Sequence, residues 1–151
     1  MTQNQATEPS LEEALACTVY YDGACPLCQR EISMYQGMEG SEKIRWHDVS
    51  TSGTGSADLA TEDAMARFHV RLPDGRLVSG ARGFFEVMKT IPKLRWLGRA
   101  LSVPPIPVLA EGAYRLFLPM RPFLKKIIPA PKNAPRNDVA PETAHAPANS
   151  N

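Results

Sequence analysis

Two cysteines, Cys25 and Cys28, are separated only by a proline and a leucine. Residues 18–21 before them are β-branched or aromatic and lead into an Asp-Gly pair, which is typical of a strand that ends in a turn. Residues 26–38 then place apolar side chains at helical spacing. Two thiols at the junction of a strand and a helix predict thiol–disulfide chemistry.

The expected geometry gives the two thiols different roles. Residues three apart on the first turn of a helix have Cα atoms about 5–6 Å apart, within the range that a disulfide requires. We expect Cys25 at the N-cap, where free backbone N–H groups and the helix dipole favour a thiolate and lower its pKa. Cys25 is therefore predicted to be the attacking nucleophile. Cys28, one turn further along and more buried, is predicted to be the resolving thiol.

Other interpretations of the cysteines compete with this one. A zinc site needs further ligands, and the chain has no second cysteine pair and only His47 and His69 within its predicted folded part. A packing role is open to any buried cysteine, but the Asp-Gly turn is expected to keep the first sulfur near the surface. The third cysteine, Cys17, begins a strand about 13 Å long, whereas a disulfide needs Cα atoms within about 7 Å. We expect Cys17 to be a core residue at the opposite end of the sheet.

The patterns around the motif predict a mixed sheet. A second strand that follows the first after one helix is expected to lie parallel to it. The element order predicts an α/β fold, namely a thioredoxin-like mixed sheet with flanking helices and a C-terminal helical extension. After the first helix, the predicted elements are a strand (44–49), a Gly/Ser-rich loop (51–56), a hairpin (68–72 and 77–79) and a helix (81–91).

Composition divides the chain into four predicted parts. Residues 1–10 are a flexible N-terminus, 11–92 the thioredoxin-like domain, and 93–128 a helical extension packed on it. Residues 129–151 contain five prolines, six alanines and Val139 as their only large aliphatic side chain, which predicts a disordered tail. Five prolines are expected to divide the extension into short helices. They are Pro104, Pro105, Pro107, Pro119 and Pro122.

Charge is unevenly distributed along the chain. The net charge of +1 argues against a general nucleic-acid binder. Residues 1–80 carry six basic and twelve acidic side chains, whereas 81–128 carry nine and two, a net charge of +7. The basic part, which is rich in aromatic and leucine side chains, is either a lid attracted to the acidic part or a surface for anionic lipid or an acidic partner. The prolines favour the lid, because a membrane-binding helix is usually long and continuous.

Targeting signals are not recognisable in the sequence. Residues 1–16 contain no lysine or arginine and no apolar run typical of a signal peptide. The stretch 100–110 is apolar but is broken by prolines, and a spanning helix needs about 20 apolar residues. We therefore expect no transmembrane segment and a cytoplasmic location.

Three polar residues near the motif have two interpretations each. Asp22 either closes an Asx turn with Gly23 or accepts the proton of Cys28 during resolution. His47 and Asp48 end the second predicted strand, at the edge where α/β sheets usually place their sites. They either face the cysteines or form a solvated turn, and the turn is the commoner arrangement.

The segment 20–28, YYDGACPLC, resembles the defining motif of the DCC family of thiol-disulfide oxidoreductases, whose Asp, Cys and Cys correspond to Asp22, Cys25 and Cys28. The segments 46–49, 73–76, 80–81 and 94–97 also resemble that family's pattern. The resemblance covers roughly residues 19–117. It implies a thioredoxin-like fold, although no proline precedes Phe68, where thioredoxins carry a cis-proline.

The sequence thus predicts a thiol-disulfide oxidoreductase that acts on protein or small-molecule disulfides and thiols without a metal or organic cofactor. Reductase, oxidase and isomerase directions stay open, and so does the oligomeric state. The alternative is a non-enzymatic redox-sensing or binding module in which oxidation of the pair changes its shape.

Overall fold

A four-stranded mixed sheet forms the centre of the protein in a computed structural model that describes residues 15–139. The strands are β1 (Cys17–Tyr21), β2 (Ile44–Asp48), β3 (His69–Arg71) and β4 (Leu77–Ser79). Their order in the sheet is β2-β1-β3-β4. β1 is parallel to β2 and antiparallel to β3, and β4 is antiparallel to β3.

Within the described residues, seven α-helices accompany the sheet, and three short 3-10 helices lie between some of these elements. The helices are α1 (Pro26–Gln36), α2 (Val49–Ser52), α3 (Thr61–Ala66), α4 (Ala81–Thr90), α5 (Arg95–Leu101), α6 (Ile106–Phe117) and α7 (Arg121–Ile127). The 3-10 helices are Ser41–Lys43, Pro92–Leu94 and Leu118–Met120.

Side-chain alternation along the strands divides the core between the two faces of the sheet. On one face Val19 and Trp46 pack with Ile32 of α1 and Val87 of α4, and all four are buried. On the other face Tyr20 packs against a second cluster that includes residues of α2 and α3. This two-sided core fixes the C-terminal end of β1 and the N-terminus of α1 relative to each other.

The predicted fold class is confirmed, because the sheet is mixed, helices flank it and a helical C-terminal part follows. Two local predictions differ from the structure. The loop expected over 51–56 begins inside α2, which the Asp48 side chain caps by accepting from the N–H of Ser50. α3 was not predicted, since six residues are too short to show a helical period.

The C-terminal helices pack against the domain through polar and aromatic contacts. Glu111 of α6 accepts a bond from the N–H of Ala81 at the start of α4 and pairs with Arg67. The hydroxyl of Tyr114 accepts from the N–H of Phe68, 3.0 Å away. α6 and α7 therefore lie over the sheet end that carries the cysteine motif. The division of the chain after residue 92 stays a prediction.

After α7 the chain contacts α1 through Pro129 and Arg136 and then reaches the open edge of β2 at residues 137–138. The N–H of Asp138 donates to the carbonyl of Trp46 (2.8 Å), and the side chain of Asn137 accepts from the N–H of Asp48 (3.1 Å). A disordered tail was expected over 129–151, but these bonds order its first part. Polar side chains there satisfy backbone N–H groups at the edge of the sheet. The predicted flexible N-terminus and residues 140–151 lie outside the described residues.

Candidate active site

The two cysteines of the motif lie where β1 passes into α1. A turn bonds the N–H of Cys25 to the carbonyl of Asp22 (3.1 Å), and α1 begins at Pro26. Cys25 is the N-cap, and its Sγ accepts from the N–H of Cys28 at 3.4 Å. A sulfur therefore replaces the oxygen that usually caps a helix. Both cysteines are free thiols in the structure.

The burial of the two sulfurs is the reverse of the prediction. Cys25 is completely buried, whereas Cys28 is half-buried. The prediction considered α1 alone, but α7 packs against α1 and brings Arg121 into contact with both thiols. The N-terminus of α1 is therefore covered rather than open to solvent.

The two thiols of the pair have shifted pKa values of opposite direction. The pKa of Cys25 is lowered to about 5, mainly because the Cys28 thiol donates a hydrogen bond to it. Burial opposes this shift, whereas the backbone N–H of Cys28 and the Arg121 guanidinium lower the pKa further. The pKa of Cys28 is raised, because its proton is shared with Cys25 and because it is buried. The two thiols titrate as a coupled pair, and the directions of the two shifts favour the thiolate on Cys25 and the proton on Cys28.

Asp22 connects the motif to α7. One carboxylate oxygen accepts from Arg121 (3.0 Å) and Lys125 (2.9 Å), and the Asp22 side chain is 2% exposed. The other oxygen accepts from the N–H of Ala24 at 3.0 Å. The Asx-type turn predicted for Asp22 is therefore present. Its role in proton transfer stays a prediction.

Arg121 is one site residue that the sequence did not reveal. Its Nη2 donates to Asp22 and to the Sγ of Cys28 (3.2 Å), while Nη1 donates to the carbonyls of Met65 and Ala66. Four acceptors from three parts of the chain thus hold one guanidinium against the thiols. The only sequence signal was the basic excess of 81–128, which does not distinguish one cation from another.

Glu31 is a second residue that sequence reasoning missed. It lies one turn after Cys28 on α1, and both side chains line a cavity of about 50 Å³ beneath α6. The pKa of Glu31 is raised to about 7, mainly by burial, although Tyr35 donates a hydrogen bond to it. The i, i+3 spacing from Cys28 was the available signal. This carboxyl group titrates in the range where thiol exchange operates.

His47 and Asp48 occupy different sides of the sheet end. Asp48 accepts from the N–H of Gly23 (3.0 Å) and so supports the loop that carries the cysteines. His47 lies on the opposite face from Trp46 and packs on the ring of Tyr20, with a centroid distance of 5.0 Å. Burial lowers the pKa of His47. Asp48 therefore contacts the motif, whereas His47 does not face it.

Cys17 is separate from this site, as predicted. It begins β1, is 3% exposed and belongs to the core cluster. Burial raises its pKa to about 11, so it stays a thiol at neutral pH. Within residues 15–139, no group of three or more His, Cys, Asp or Glu side chains is arranged to hold a metal ion.

Comparisons with known proteins agree with this arrangement. A match to the DCC1-like thiol-disulfide oxidoreductase family covers residues 19–126. An uncharacterized chloroplastic protein of Arabidopsis thaliana is 32% identical over 124 residues, which correspond to 74% of this chain and 56% of the relative. The chain thus spans little more than half the length of that relative. No solved structure matches the chain significantly.

Proposed function

Since the chain belongs to the DCC1-like thiol-disulfide oxidoreductase family, we propose that Cys25 and Cys28 exchange disulfides with a protein or small-molecule substrate. One observation carries the proposal: the Sγ of Cys25 accepts from the Cys28 thiol, from the backbone N–H of Cys28 and from Arg121, which together lower its pKa to about 5. A thiolate at neutral pH is the nucleophile that exchange requires.

The exchange takes place in two balanced steps. The Cys25 thiolate attacks one sulfur of the substrate disulfide, forms a mixed disulfide and releases the other sulfur as a thiolate. Cys28 then loses its proton and attacks the Cys25 sulfur, which forms the Cys25–Cys28 disulfide and releases the second substrate thiolate. Two electrons pass from the protein to the substrate. The reverse sequence oxidises a substrate dithiol, so the redox potential sets the direction.

The first step requires α7 to move away from Cys25. Because Cys25 is completely buried, a substrate sulfur reaches it only if α7 shifts away from the N-terminus of α1. α7 is held there by the contacts of Arg121 and Lys125 with Asp22. We propose that substrate binding replaces these contacts.

The second step requires an acceptor for the Cys28 proton. Asp22 was the predicted acceptor, but its oxygens already accept from Arg121, Lys125 and Ala24. Glu31 shares a cavity with Cys28 and has a pKa of about 7. We propose that Glu31 takes the proton and that Asp22 positions Arg121.

Trapping of mixed disulfides tests the exchange mechanism. The Cys28→Ser variant is expected to accumulate a mixed disulfide on Cys25 when it is exposed to a model disulfide, as detected by mass spectrometry. The Cys25→Ser variant should trap much less, and Cys17→Ser, which changes a buried core thiol, should behave as the parent. An adduct that forms faster on Cys28 of Cys25→Ser would reverse the two roles. If neither variant traps an adduct, the mechanism is wrong.

Turnover distinguishes an enzyme from the alternative redox sensor. Repeated reduction of insulin disulfides in the presence of a recycling thiol supports an enzyme. A single stoichiometric oxidation together with a large change in partner affinity supports a sensor instead. The predicted cytoplasmic location would supply the recycling thiols, and it stays a prediction, since the Arabidopsis relative is chloroplastic.

A further inference from the structure

The outer surface of α6 and α7 has no role in the proposed chemistry. The backbone angles at Phe117, Leu118, Met120 and Arg121 all remain in the right-handed helical region. The 3-10 helix Leu118–Met120 therefore joins the two helices without an extended break. As predicted, prolines divide the extension into short helices, with Pro104 and Pro105 between α5 and α6. Pro107, Pro119 and Pro122 lie in the first turns of helical segments, where a proline is tolerated.

One side of this helical path is apolar and exposed. Its large side chains are spaced by three, four or seven residues, the spacing of a single helix face. Their exposed fractions lie between 36% and 73%. They are Ile106, Leu109, Leu116, Met120, Phe123 and Ile127. We call these six residues the outer stripe.

The exposed charged side chains beside the outer stripe are basic. Arg115 and Lys126 are exposed on α6 and α7. Glu111 is the only acidic residue in 95–128; it bonds to Arg67 and to the start of α4, and it also pairs with the exposed Arg115 at 3.0 Å. A second copy of the chain would bring two such basic surfaces together, whereas an acidic surface would complement them.

The opposite side of the same helices is engaged with the domain. Tyr114 bonds to the backbone of Phe68, and Arg121 and Lys125 pair with Asp22. The helices can therefore present the outer stripe to a flat surface without unfolding. No helix within 15–139 is long and apolar enough to cross a bilayer, so an apolar stripe with cations beside it suits a helix that lies in the plane of a membrane interface.

We infer that the outer stripe binds the surface of an anionic membrane. Phe123, Met120 and the aliphatic side chains enter the boundary between headgroups and acyl chains, while Arg115 and Lys126 contact the anionic headgroups. The inference is independent of the thiol chemistry, since the groups that lower the pKa of Cys25 belong to Cys28 and Arg121 and to no residue of the stripe.

Cosedimentation of the full chain with vesicles tests this inference. We expect binding to phosphatidylcholine vesicles that contain about 30% phosphatidylserine at low salt, weaker binding at about 150 mM salt and little binding to phosphatidylcholine alone. Met120→Ser and Phe123→Ser should each weaken binding by about tenfold, the effect of losing one buried apolar side chain.

Matched variants make the result specific. Met34 on α1 is as exposed as Met120, at 51% against 54%, so Met34→Ser should leave binding unchanged. Lys126→Glu should weaken binding, whereas Lys43→Glu, far from the stripe, should not. A Cys25→Ser/Cys28→Ser protein should bind as the parent does, which separates this test from the proposed exchange.

Three results would overturn the inference. They are an absence of salt-sensitive binding to anionic vesicles, equal losses for Met34→Ser and Met120→Ser, and a dimer that Phe123→Ser dissociates in a chain that binds no vesicles. The last result would assign the outer stripe to a second copy of the chain.

Discussion

The guanidinium of Arg121 lies 3.2 Å from the sulfur of Cys28, although 93 positions separate the two residues in the chain. The cation belongs to the last helix, and the thiol belongs to the first. A thiolate on Cys25 is therefore stabilised by a residue outside the local motif, in addition to the Cys28 thiol and the helix N-terminus.

Loss of Arg121 should raise the pKa of Cys25. Arg121→Met removes a cation and a hydrogen-bond donor, so we expect the pKa to rise by about one unit or more towards the free value of about 8.5. Alkylation by iodoacetamide as a function of pH measures this change in a protein that keeps Cys25 and has Cys28→Ser. Arg121→Lys should give an intermediate pKa, since it keeps the charge.

Arg115→Met serves as the control for Arg121→Met. Arg115 is exposed on α6 and pairs with Glu111, so its loss should not change the thiol pKa. Equal alkylation profiles for Arg121→Met and the parent would refute the stabilising role of Arg121.

Asp22→Asn should destabilise the protein. It should also lower the pKa of Cys25 further, because it removes a negative charge near the thiolate. Asn can keep the bond to the N–H of Ala24 but leaves Arg121, only 12% exposed, without its ionic partner. Removal of one partner of a buried ion pair costs about 3 kcal/mol in the free energy of unfolding. Urea unfolding measures the loss, and Asp58→Asn, which changes an exposed pair with Arg71, should show little change.

The same Asp22 variant tests the proton-transfer role. If Asp22 only positions Arg121, the pH dependence of the resolving step keeps its shape and is displaced along the pH axis. If Asp22 accepts the proton of Cys28, one ionisation disappears from the profile. Stopped-flow oxidation of the dithiol by a model disulfide distinguishes the two results.

Glu31→Gln should make stability less sensitive to pH. The pKa of Glu31 is about 7 in the folded protein, against about 4.3 for an unperturbed glutamate. The folded state binds this proton more strongly than the unfolded state, so between about pH 4.3 and 7 stability falls as pH rises. The Glu31→Gln variant should not show this loss. The difference between its free energy of unfolding and that of the parent should therefore grow in favour of the variant as pH rises across that window.

Urea unfolding at several pH values measures the effect of Glu31→Gln. The comparison is made in a Cys25→Ser/Cys28→Ser background, where the thiols of the pair do not titrate. Glu39→Gln changes an exposed carboxylate and should follow the parent. Parallel curves for Glu31→Gln and the parent would show that the carboxyl group is not protonated in the folded state at neutral pH.

Gly23→Ala should disturb the loop that carries the cysteines. A Cβ atom at residue 23 would overlap the carboxylate of Asp48, which also accepts from the N–H of Gly23. We expect a loss of about 1–3 kcal/mol in the free energy of unfolding. Gly112→Ala is the contrasting change, because a Cβ there meets no atom within 4 Å and the residue lies inside α6. It should stabilise by about 0.5–1 kcal/mol.

The strand, the turn and the helix around the cysteines were predictable because the signals are local. An Asp-Gly turn, a proline at the first helical position and apolar residues at helical spacing lie within about twenty residues. The hairpin of β3 and β4 was predictable for the same reason, since turn residues lie between two short apolar runs.

The parts of the site that were missed depend on distant packing. The burial of Cys25 and its contact with Arg121 arise only when α7 packs on α1, and no local pattern encodes that contact. The raised pKa of Glu31 similarly requires the cavity closed by Tyr114 and Phe117. Local signals therefore located the thiols, while the groups that tune them came from the tertiary structure.

Asn137 and Asp138, which follow α7, cover the outer edge of β2. Asp138 accepts from the N–H of Trp46 at 3.0 Å, and Asn137 accepts from the N–H of Asp48 at 3.1 Å, so both satisfy the outer edge of β2. Backbone N–H groups at an uncovered sheet edge exchange with solvent. Truncation after residue 133 should therefore speed hydrogen exchange at Trp46 and Asp48 by about tenfold or more.

Truncation after residue 139 is the matched control, because it keeps Asn137 and Asp138 and removes only residues 140–151. This shorter deletion should leave exchange at Trp46 and Asp48 as in the full chain. Val19, in the central strand β1, should exchange slowly in all three proteins, because β2 and β3 flank it. If the longer truncation leaves the two edge amides protected, residues 134–139 do not cover β2 in solution, and their bonds contribute little to the stability of the edge.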